Sequence, residues 1–244
     1  MIFFIILLSN VIVDSDAGFW SNSMNLIFTS ILLIGCIVNN FKIGLSGKHG
    51  KSWLFFTFTI VFWYLAERIW TMNNLVISND FSYADLFWFT GYVFYFLFGI
   101  MYLKPFASQI SKRNILVTSL VVLTVMVLVF YTISPQTNIS ENMLNSSYPI
   151  IDAIMLIPSI LGIMLFFKGN VKLSWSLLFF GMLIFVIADY GFMYFDSLDE
   201  YYEGHLIDIP YLWAYAIFIG GVIANLSIWR TNKSKPFVDQ DNLR

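Results

Sequence analysis

Residues 53–70 read WLFFTFTIVFWYLAERIW and residues 175–192 read WSLLFFGMLIFVIADYGF, two apolar runs that each open on tryptophan and carry one acidic residue near the far end. Eighteen residues of helix rise about 27 Å, close to the hydrocarbon thickness of a bilayer. A shift of 122 positions lays Trp53 on Trp175 and Ala66-Glu67 on Ala188-Asp189. A shift of 123 then lays Asp85 on Asp208 and Tyr92 on Tyr215, with one residue inserted in the loop between. The chain reads as one membrane-embedded unit written twice.

Composition agrees with that class. The 244 residues are 59% hydrophobic, 19% aromatic and 11% charged, where soluble domains carry about a quarter charged residues. The few Lys and Arg are scattered over short loops and form no basic face, so nucleic acid is not an expected partner. Cys36 is the one cysteine, which rules out an intramolecular disulfide. His49 and His205 are the only imidazoles and are expected on opposite sides of the membrane, so neither a haem nor a zinc cluster is expected and no cofactor or metal is assigned.

The expected fold is an all-α polytopic membrane protein. Seven full transmembrane helices are placed near residues 25–42, 52–71, 85–103, 114–133, 149–167, 173–194 and 208–230. Residues 2–13 form a shorter apolar segment, read as a partial first helix or as an interfacial or signal-like stretch. The divisions are an N-terminal segment and outer loop (1–24), repeat 1 (25–103), a linking helix (114–133), repeat 2 (149–230) and a disordered cytoplasmic tail (231–244). The linking helix makes the two repeats parallel, in a three-plus-one-plus-three plan, or four-plus-four if the first segment spans. Parallel repeats of this kind hold a cavity where they meet in some transporters.

Loop charge sorts by side. Lys42, Lys48, Lys51, Lys104, Lys112, Arg113, Lys168, Lys172, Arg230, Lys233 and Lys235 fall on alternate loops, and Asp14, Asp16, Asp80, Glu141, Asp196, Asp199, Glu200 and Glu203 on the others. The positive-inside rule puts the C-terminus in the cytoplasm of a plasma-membrane protein and the acidic loops outside.

Depth follows from helix rise. Glu67 comes 16 residues after Lys51 and Asp189 comes 17 after Lys172, placing both about 24–26 Å up their helices. Asp85 and Asp208 open helices that descend from the outer side, and Asp152 lies one turn into another. Five carboxylates therefore share a layer at the outer mouth with one embedded cation, Arg68. Embedded ionisable residues face the protein interior or a wet cavity and are functional candidates. Asp85, Trp88 and Tyr92 stand at i, i+3 and i+7, as do Asp208, Tyr211 and Tyr215, so each repeat offers a carboxylate above an aromatic stripe. That pairing suits a small cationic or amine ligand arriving from outside. Interfacial anchoring and structural ion pairs, with Arg68 holding Glu67 or Asp85, are the other reading of the same residues. Pro158 and the glycines Gly181, Gly220 and Gly221 are read as a kink and as close helix approaches. No nucleophile elbow, zinc motif or phosphate loop is present.

Tyr148-Pro149-x-x-Asp152, Ala188-Asp189 followed by Tyr194, Tyr201-x-x-Gly204-His205-x-x-Asp208 and Trp213-x-Tyr215 give the chain a further likeness. It resembles the multi-spanning input regions that precede diguanylate cyclase or histidine kinase domains in prokaryotes, and similar stand-alone proteins of archaea. The resemblance implies a non-enzymatic sensory or ligand-binding module and carries over no catalytic residue. With no output domain after residue 230, a sensor of this kind signals through a separate cytoplasmic protein. A small-solute or ion transporter on the same repeats is the alternative function, and a membrane lipid-modifying enzyme of the lysoplasmalogenase type is the third.

Overall fold

The computed structural model describes residues 17–45, 47–73, 82–132, 139–166 and 170–233. The N-terminal apolar segment and the tail from residue 234 lie outside the described residues. Among those described the chain is helical throughout, with no strand: α1 (Ala17–Ile43), α2 (Gly47–Asn73), α3 (Tyr83–Leu103), a 3-10 stretch (Lys104–Gln109), α4 (Lys112–Thr132), α5 (Ile139–Phe166), α6 (Asn170–Ser197) and α7 (Asp208–Lys233). Each of the seven expected spans has its helix. Six begin earlier than expected, most of all α1 at Ala17 rather than residue 25 and α5 at Ile139 rather than residue 149. In these two cases several polar residues, Ser21-Asn22-Ser23 and Asn145-Ser146-Ser147, precede the apolar run, and helix propagates through them because each added residue closes another backbone bond.

Five of the described segments are long and apolar enough to cross a membrane: Ala17–Ile43, Tyr83–Gln109, Ser147–Phe166, Leu173–Ser197 and Asp208–Ile228. They mark the chain as a membrane protein. α2 is less apolar because Ser52, Thr57, Thr59, Glu67 and Arg68 interrupt its leucines and aromatics, and Ser52, Thr57 and Thr59 are all buried. Its polar groups face inward. Ser52, Thr57 and Thr59 each donate back to a carbonyl one turn earlier.

The exterior is apolar. Phe41, Ile34, Leu123, Val127 and Ile223 are more than half exposed, and on α4 apolar side chains project over most of the helix. The interior holds the large rings. Trp53, Trp63 and Trp175 are fully buried. Trp53 meets Trp175 with ring centroids 5.0 Å apart, and Trp63 stacks on Phe185 at 4.6 Å and 10°. α2 packs along α3, α6 along α7, and α1 closes against both α2 and α7. Gly91 lets α3 approach α2, since a Cβ there would overlap the Trp63 indole. Gly181 and Gly221 admit Phe218 and Leu178 at 2.8 and 2.7 Å from an added Cβ, whereas Gly220 has only a 3.7 Å neighbour. α5 runs unbroken through Pro149 and Pro158.

Candidate functional site

The antiparallel run of helices brings the end of α2, the start of α3, the end of α6 and the start of α7 to one end of the bundle. Two of the five carboxylates there first serve the backbone. Ser82 caps α3, and Asp85 accepts the Ser82 N–H at 3.0 Å, closing a capping box. Asp208 accepts the Gly204 N–H at 2.9 Å at the head of α7. Gly204 has φ +88, and a Cβ on it would overlap the Ala17 backbone, so this turn requires glycine. An acid at these positions also meets the positive end of the helix dipole.

Tyrosines supply the next layer. Tyr148 donates to Asp85 Oδ1 at 2.5 Å. Tyr201 and Ser21 donate to Asp208, each at 3.2 Å. Burial, with the charge of Asp208 beside it, pushes the Tyr201 hydroxyl well above the usual tyrosine range and keeps it a donor. Asp189 accepts two short bonds, from Tyr92 on α3 to Oδ2 and from Tyr211 on α7 to Oδ1, both 2.6 Å. Glu67 Oε1 accepts Tyr215 at 2.9 Å, and its Oε2 accepts the Asn25 amide at 3.1 Å.

Asn25 also takes Arg68. The guanidinium donates to Asn25 Oδ1 at 2.7 Å and lies 5.5 Å from the Tyr64 ring centroid. The asparagine thus joins Arg68 to Glu67 with one face for each. Asp152 differs from the rest. It is 0% exposed and neither carboxylate oxygen has a hydrogen-bond partner among the described groups, although it lies within electrostatic reach of Asp189 and Tyr92.

No family model, curated protein or solved structure matches the chain.

Of the residues singled out from sequence, Glu67, Arg68, Asp85, Tyr92, Asp152, Asp189, Asp208, Tyr211 and Tyr215 come together at one end of the bundle. Trp88 turns elsewhere: its ring packs on Trp70 at 5.6 Å, and its carbonyl accepts the Trp63 indole N–H at 3.3 Å. The divergence is angular, because i and i+3 on a helix differ by about 60° and here face different neighbours. Asn25, Tyr148, Tyr201 and Ser21 were not singled out as site residues. Tyr148 had a signal, standing one turn before Asp152 on the same face. Asn25 carried no clear signal, since Ser21, Asn22 and Ser23 stand just before it.

Proposed function

We propose that the protein is a non-enzymatic plasma-membrane receptor module, two parallel three-helix repeats of a seven-span bundle that takes a small organic cation or amine from the outer side at Glu67 and Asp189. The carrying observation is an exchange of bonds. Glu67 and Asp189 are equivalent under the 122 shift, and Tyr92 and Tyr215 under the 123 shift; Glu67 accepts Tyr215 while Asp189 accepts Tyr92. A pair of reciprocal contacts between equivalent positions is what a two-fold relation between repeats produces. The equivalent pairs Trp53 with Trp175 and Trp63 with Phe185 also pack on each other, which supports the same relation.

Each carboxylate is half-buried, next to aromatic faces, and hydrogen-bonded by tyrosine hydroxyls instead of a direct cation. A ligand ammonium supplies the charge they lack and gains cation–π attraction from the rings. Its arrival competes with the tyrosine bonds that tie the repeats together, shifting their packing for a cytoplasmic signalling protein to read. Asp85 and Asp208, used as helix caps, position the rings and leave ligand contact to the other two acids. The likeness to membrane input regions favours the same role.

The test is thermal stabilisation of the detergent-purified protein by a panel of primary and quaternary amines. Stabilisation is expected for wild type and is lost in Glu67→Gln/Asp189→Asn, with the variant still folded. No amine stabilising wild type, or equal stabilisation in the variant, overturns the reading. A small-solute transporter is the second reading, favoured by half-buried acids lying where the repeats meet. Uptake of a stabilising amine into proteoliposomes separates the two, since a receptor moves nothing.

A further inference from the structure

We infer that Asp152 and Asp189 together bind one exchangeable proton, with Asp152 its resting place and Asp189 the ionised partner. This deepens the receptor reading, on which it rests, by naming the proton as a second ligand of the same site.

The two acids receive opposite treatment. Asp189 holds two tyrosine O–H donors at 2.6 Å, one on each oxygen, which is the solvation a carboxylate anion needs away from water. Among the described residues Asp152 receives no donor within hydrogen-bond distance on either oxygen, and it is fully buried. An ionised carboxylate without donors or a cation is the costliest state available in such a place, and a neutral acid the least costly. Two neighbouring carboxyls in a low-dielectric site also do not both ionise readily.

The groups around Asp152 do not change this assignment. Tyr148 stands on its own helix, Tyr92 on α3 with Asp85 behind Tyr148, Asp189 and Tyr190 on α6, and Tyr211 on α7. All are acids or phenols. α4, the other helix packed on α5, brings it no titratable group among the described side chains, with Lys112, Arg113 and Tyr131 all exposed. Arg68 is turned to Asn25. Among the described residues no three of His, Cys, Asp and Glu converge as a metal ion needs. Exchange proceeds through Asp189, the half-buried member of the pair: an O–H bond on Asp152 breaks, one on Asp189 forms, and the negative charge passes to Asp152.

Infrared spectroscopy of the full chain in lipid tests it at neutral pH. The wild-type-minus-Asp152→Asn spectrum is expected to hold a protonated-carboxyl C=O band that shifts in D2O, and the wild-type-minus-Asp85→Asn spectrum none. A spectrum without the Asp152 band overturns the proposal. If Asp152→Asn does not fold, wild type alone decides: one protonated-carboxyl band lost on alkaline titration, with gain of a carboxylate band, supports it, and no protonated carboxyl at neutral pH overturns it. Absence of the band leaves amine stabilisation, the measure of the receptor reading, untouched; loss of that stabilisation with the band present sinks the receptor alone.

Discussion

Asn25 lies between a guanidinium and a carboxylate and bonds both, at 2.7 and 3.1 Å. A direct Arg68–Glu67 ion pair, one of the sequence readings, is thereby relayed through an amide. The arrangement makes one short side chain responsible for two charged groups at once. Asn25→Ala is expected to cost about 1–3 kcal/mol, because removing one partner leaves the others desolvated and unmatched. Unfolding of the purified protein in mixed micelles reads this directly. A cost under about 0.5 kcal/mol, the scale of an ordinary surface change, would show that Arg68 and Glu67 close on each other when the amide is gone. Asp152 carries the opposite lesson. Its place on the helix was legible, one turn beyond Pro149, but its lack of a hydrogen-bond donor among the described residues depends on where Tyr92 and Tyr211 spend their hydroxyls.

Between elements, α2 and α3 are held by rings and a missing side chain. Trp63 is fully buried, lies 5.4 Å from Tyr92 between ring centroids, and rests on Gly91 of the facing helix. A methyl at Gly91 overlaps the indole backed by Phe185, and a rigid buried ring has little room to retreat. Gly91→Ala is expected to destabilise by about 1–3 kcal/mol, the usual cost of overpacking, despite alanine's better helix propensity. Adding Trp63→Phe should recover part of the loss, and strict additivity of the two changes in a double-mutant cycle would disprove the contact. Displacing Trp63 also disturbs Tyr92, the donor to Asp189, so the same change should weaken amine stabilisation. Packing and site are coupled here through one aromatic contact.

At the scale of the whole molecule, loop charges predict which way the bundle faces, and the receptor reading needs the acidic end outside. In a Cys36→Ser background, an impermeant thiol reagent applied to intact cells should label Asp199→Cys and spare Lys51→Cys, both being exposed positions at opposite ends. The reverse pattern would turn the carboxylate end to the cytoplasm and remove the outside ligand. By itself the sequence determined the helical class, the positions of the helices and the gathering of five carboxylates at one end, because each depends on local quantities: run length, rise per residue and charge next to a run. Only the tertiary structure decided which acids cap helices, that Glu67 and Asp189 take tyrosines from opposite halves, that Asn25 relays Arg68, and that Asp152 finds no hydrogen-bond donor among the described residues. Those outcomes depend on the rotation of each helix about its axis, set by packing between residues as far apart as Glu67 and Tyr215, 148 positions distant, and spacing along one helix carries no information about it.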